Sequence, residues 1–82
     1  MNEQKINTTK YNGHEYRVLN VKTGLVTINE KLPPLLKMLR EATGYTFKIP
    51  HGNKVRTLIL EEGICYIIND GIVLYEITIE RW

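Results

Sequence analysis

The sequence predicts a small α+β domain with one helix packed on a sheet, and three observations carry that expectation. Two short extended runs open the chain, at 15–21 and 25–29. A single amphipathic segment, 33–42, is bracketed by Pro33-Pro34 and Gly44. From Tyr45 onward the chain consists of further extended segments, closing in Ile72-Val73-Leu74-Tyr75-Glu76-Ile77-Thr78-Ile79, its most apolar run. A chain of 82 residues buries roughly 60–65% of its unfolded surface, enough for one core.

The first two runs form a hairpin. Residues 15–21 carry Tyr16, Val18, Leu19 and Val21 without clean alternation, whereas 25–29 alternates Val26 and Ile28 against Thr27 and Asn29. Lys22-Thr23-Gly24 is a three-residue loop with glycine at the left-handed position. In the helix, Leu32, Leu35, Leu36 and Leu39 recur at the spacing of one helical face, widened by Met38 and Ala42. Pro33 and Pro34 fall in the first turn, where N–H groups have no intrahelical partner. Gly44 stops the helix as its C′ residue. Beyond it, 45–49 is expected as a strand with Tyr45, Phe47 and Ile49 on one face, Pro50-His51-Gly52-Asn53 as a turn, and 55–60 as another strand. Glu61-Glu62-Gly63 breaks that strand, 64–68 is short and apolar, and Asn69-Asp70-Gly71 is a reversal. The last strand places Val73, Tyr75, Ile77 and Ile79 on one face, while Ile72 and Leu74 make its first half apolar on both. A strand covered on both faces lies in the middle of its sheet, so either the closing strand pairs beside the first or the sheet curls over it.

Composition narrows the class. With 43% apolar and 24% charged residues the chain has the make-up of a folded domain rather than a disordered one. The net charge of +2 permits a basic patch without demanding nucleic acid. The single cysteine, Cys65, excludes an intramolecular disulfide and favours a reducing compartment. No apolar stretch approaches the roughly 18–20 residues that span a bilayer, and residues 1–10 lack the apolar core of a signal peptide. These features predict a cytoplasmic protein without a membrane partner, with a flexible tail over 1–10 and one domain over 11–82.

Hairpin, helix, further strands and a central last strand is the order of the β-grasp fold, in which the last strand runs parallel to the first. Asn12-Gly13-His14-Glu15-Tyr16 resembles the opening of prokaryotic ubiquitin-like domains, the multiubiquitin type among them. Residues 45–50, the Glu61-Glu62 turn and Asn69-Asp70-Gly71 before the apolar last strand look like that family's closing pattern. The sulfur-carrier proteins of thiamine and molybdopterin synthesis are similar in outline. The resemblance spans 12–79 and implies a ubiquitin-like module handled by activating, conjugating or processing enzymes. The chain departs from the family at Glu80-Arg81-Trp82, where conjugated members have a glycine tail that threads into an enzyme channel. That departure leaves two expectations open, a modifier handled by such enzymes and binding without conjugation.

Chemistry-bearing residues are sparse. His14 and His51 lack ligand partners at metal-binding spacing, Cys65 sits in an apolar strand, and Glu61 and Glu62 are neighbours at a turn. No catalytic residue, metal or cofactor is expected, and the protein is taken as a non-enzyme. Lys48, His51, Lys54 and Arg56 gather around one turn near Tyr45 and Phe47, the mixture that single-stranded nucleic acid exploits. The three apolar residues of 45–49 are better explained as core, which makes nucleic acid the lesser alternative. Trp82, with Arg81 beside it, is the candidate partner anchor, since tryptophan is enriched at interface hot spots. The expected role is a protein-interaction module, monomeric or homodimeric. A small inhibitor from a phage or other mobile element, acting on a host protein, is the second reading.

Overall fold

A computed structural model describes residues 13–82. The elements run β1 (His14–Asn20), β2 (Val26–Asn29), α1 (Leu32–Ala42), α2 (Gly52–Glu62), β3 (Cys65–Asn69) and β4 (Ile72–Arg81). The four strands form one sheet in the order β2-β1-β4-β3, antiparallel at every pairing. Both helices cover the same side: α1 lies beneath β2, α2 beneath β3 and β4. The α+β class is therefore as expected. The tail expected at 1–10 lies outside the described residues, as does Asn12.

Local chemistry accounts for the elements the sequence made legible. Between β1 and β2, the Asn20 carboxamide oxygen accepts from the backbone N–H of Lys22 and Thr23 at 3.0 and 3.2 Å, and Gly24 takes φ +78°. In α1, Leu32, Leu35, Leu36 and Leu39 are all buried. Each such leucine contributes roughly 1.5–3 kcal/mol through removal from water. The helix ends in a paired-bond stop: the Gly44 N–H donates to the Glu41 carbonyl at 3.1 Å and the Tyr45 N–H to the Arg40 carbonyl at 3.0 Å. Between β3 and β4, Asp70 and Gly71 take φ +53° and +76°, the two-residue turn expected of an Asp-Gly pair.

The second half of the chain corrects the sequence reading. Residues 55–60 are not a strand but the centre of α2, and Gly52 and Asn53 open that helix instead of forming a turn. Val55, Leu58 and Ile59 stand at i, i+3 and i+4, so the helix buries Val55 and Ile59 and half-buries Leu58. Gly63, at φ +85°, closes the helix with its N–H on the Ile59 carbonyl at 2.8 Å. The single-helix expectation is thus replaced by two helices. Residues 45–49 are not a strand either. Gly44 and Tyr45 both adopt left-handed backbone, Pro50 follows closely, and the segment bridges the helices without strand pairing. Ile49 is buried and Phe47 packs on the core, whereas Tyr45 is 68% exposed, so the three residues share no face.

The last strand does lie inside the sheet, between β1 and β3. It pairs with β1 from His14↔Arg81 to Asn20↔Tyr75, but antiparallel, where the β-grasp order has these strands parallel. Its apolar first half has a different cause from the one expected. A bulge leaves Leu74 without a partner on β3: Ile67 faces Tyr75, whereas Ile68 faces Val73. Val73 therefore leaves the face shared by Tyr75, Ile77 and Ile79, and Ile72 is 62% exposed beside the turn. The core gathers Tyr16, Val18, Cys65, Ile67 and Ile77 from the sheet with the buried residues of both helices and Ile49.

Candidate functional site

Because both helices occupy one side, the molecule has two unlike surfaces. The open side of the sheet is read from the strand registers. Tyr16 and Val18 point to the helices, so Glu15, Arg17 and Leu19 point away. The same alternation puts Glu76, Thr78 and Glu80 of β4 on the open side, with Val26 and Ile28 of β2 and Tyr66 and Ile68 of β3. One row crosses the whole sheet as Val26, Leu19, Glu76 and Tyr66. Val26, Ile28, Tyr66 and Ile68 are each between 41% and 53% exposed. Polar groups run between these apolar flanks. Arg17 Nη1 donates to Glu80 Oε1 at 2.8 Å, and Glu15 stands directly opposite Glu80. A depression of about 230 Å³ lies between Arg17, Leu19, Val26, Glu76 and Thr78.

The helical side carries positive charge. The segment bridging the helices brings the last turn of α1 beside the first turn of α2, and Arg40 donates to the Pro50 carbonyl at 3.5 Å. Three depressions then adjoin one another through shared residues. The first holds Arg81 and Arg56, the second Arg56, Arg40 and His51, and the third Arg40, His51 and Lys48. Among the described residues, no carboxylate lines any of the three. The third, of about 680 Å³, is walled by Tyr45 and Phe47. The first turn of α2 holds no acidic residue and its N-cap, His51, makes no side-chain cap, so its backbone N–H groups add to the positive field. No protein family, curated protein or solved structure matches this chain.

The structure thus unites most of the basic residues singled out in sequence, though on different elements. Lys48 lies in the bridging segment, His51 caps α2, and Lys54 and Arg56 are on the helix, with Arg56 in the groove. Sequence reasoning missed Arg40, which joins them only once 52–62 is helical and folds back on α1. It also gave Tyr45 to the core. Arg81 reaches this side of the sheet and faces His14 across β1, whose ring meets Tyr16 edge-on at 5.6 Å. Trp82 is bound back onto the start of β1. Its backbone N–H donates to the Gly13 carbonyl at 3.1 Å, and the indole occupies the space a Cβ on residue 13 would need. It remains 45% exposed. Cys65 is 1% exposed on β3, and burial pushes its thiol up from the ordinary range, which keeps it protonated and unreactive.

Proposed function

We propose that this chain is a non-enzymatic protein-interaction module that docks its partner on the helix-free face of the sheet. The observation that carries this reading is the apolar content of that face: Val26 and Ile28 on one edge strand, Tyr66 and Ile68 on the other, and Leu19 between them. Isolated exposed apolar residues are ordinary, but a set aligned across one sheet face marks a contact surface. Charge narrows the partner. The face carries Glu15, Glu76 and Glu80 against a single arginine, Arg17, which is already held by Glu80. Two copies face to face would oppose carboxylates, so the complementary surface is a different protein with a Lys/Arg strip between apolar flanks. The sealed thiol of Cys65 favours binding over nucleophilic chemistry. The reading does not need the ubiquitin-like resemblance, from which the chain differs in the direction of its last strand.

The test is comparative capture from native lysate with the wild-type chain, with Ile28→Lys and Tyr66→Lys, and with Arg56→Glu on the opposite side. Proteins retained by the wild type and by Arg56→Glu, and reduced about tenfold or more by either lysine variant, are the expected result. That reduction corresponds to the loss of a hot-spot contact. Equal retention by all four chains overturns the proposal. Both lysine positions are exposed edge-strand sites, so the variants keep the fold.

A further inference from the structure

We infer that the groove on the helical side binds single-stranded nucleic acid, with Arg81, Arg56, Arg40 and Lys48 along the phosphate backbone and Tyr45 as a base-stacking platform. Three independent features converge. The first is continuity. The adjoining depressions share Arg56, then Arg40 and His51, so the cations form one track from the end of β4 past α2 to the bridging segment. The second is that no described carboxylate lines it, although the chain as a whole carries 9 acidic residues against 11 basic ones. Four guanidinium or ammonium groups without a carboxylate among them attract an extended polyanion more than a compact one.

The third feature is Tyr45. It is a non-glycine residue with φ +58°, a conformation that costs roughly 1–2 kcal/mol for an L-residue. The position after a glycine helix stop commonly sends its side chain back to the helix as an apolar contact. Here the backbone bond to Arg40 is made, yet the ring is 68% exposed at the wide end of the groove. The strained backbone holds an aromatic ring out beside the cations, with half-buried Phe47 as the wall behind it. An aromatic ring held beside cations in a groove serves single strands, whose bases are free to stack, rather than duplexes, whose bases are not.

The probe is a fluorescently labelled oligothymidylate, read by anisotropy at low salt and in a salt titration. Binding is expected, with a log–log salt slope of about −2 to −3 for three or four neutralised phosphates on a single strand. Lys48→Glu and Arg56→Glu should each weaken binding about tenfold and flatten that slope. Tyr45→Ala should weaken it about fivefold or more with the slope unchanged, the mark of lost stacking. Ile28→Lys, on the opposite side, should not weaken it, which separates this result from that of the sheet face. Absence of binding at low salt overturns the inference. So does equal affinity for duplex DNA or heparin, or a Tyr45→Ala chain that binds as the wild type does. Thermal melting of each variant checks that it folds; Lys48 and Tyr45 are both exposed, so neither substitution touches the core.

Discussion

Cys65 shows how far one side chain is governed by its surroundings. It lies on an edge strand, yet its sulfur points inward at 1% exposure, and desolvation raises its pKa. Unfolded, the thiol ionises in its ordinary range near about 8.5; folded, it keeps its proton to higher pH. Above that range the folded state binds more protons than the unfolded state, so stability falls as pH rises through it. Chemical denaturation from about pH 7 to about pH 10 should show this loss for the wild type and a shallower one for Cys65→Ala, which lacks the thiol. In the same chain, iodoacetamide at neutral pH should label Cys65 only at the rate of global unfolding. Rapid labelling of the native protein would place the thiol at the surface and contradict the burial.

At the scale of elements, the two helices explain what the sequence did and did not disclose. In α1, four leucines at regular spacing, with two prolines in the first turn and a glycine past the end, leave no rival pattern. In α2, the buried stripe is only Val55 and Ile59 with Leu58 beside them, and Val55, Thr57 and Ile59 are β-branched. Gly52 and Asn53, turn-formers elsewhere, occupy its first turn. Local propensity therefore pointed to a strand, and packing against α1 and the sheet overrode it. The groove was hidden by the same error, since a strand at 55–60 would not set Arg56 beside Arg40. The glycine after Glu62 was the overlooked signal, because Gly63 is a left-handed helix stop at φ +85°. Nothing lies within 4 Å of a Cβ built on it, so Gly63→Ala meets no steric obstacle and its cost is conformational alone. That cost is about 1–2 kcal/mol, seen as a melting point lower by about 4–8 °C for each kcal/mol. A chemically synthesised chain with D-alanine there should melt no lower than the wild type, because the D-residue favours positive φ. A matching loss in both chains would mean that the substitution acts through packing and not through backbone handedness.

On the scale of the whole molecule, the helix pair also sets the direction of the last strand. One helix would carry the chain across the sheet; two carry it out and back, so β3 begins at the end where β2 finished and β4 returns antiparallel to β1. The position of β4 was legible from its apolar run, whereas its direction depended on the missed helix. The outcome is a sheet whose central pair joins the two ends of the described chain, with short strands β2 and β3 at its edges. Such pairing is non-local and lies at the centre of the sheet, so it ties the two halves of the chain together and breaks only when both come apart. Native-state hydrogen exchange should therefore show the β1–β4 amides opening only with global unfolding, while β2 amides on the free edge exchange through smaller openings. Ile77 is fully buried at the centre of this pair, opposite Val18 on one side and Cys65 on the other. Ile77→Ala should remove about 2–5 kcal/mol, a large part of the roughly 4–12 kcal/mol available to a domain of this size. It should accelerate exchange in β1, β3 and both helices together. Faster exchange confined to β3 and β4, with β1 unchanged, would mean that the two halves of the sheet open separately and that β4 does not bind the molecule into one cooperative unit.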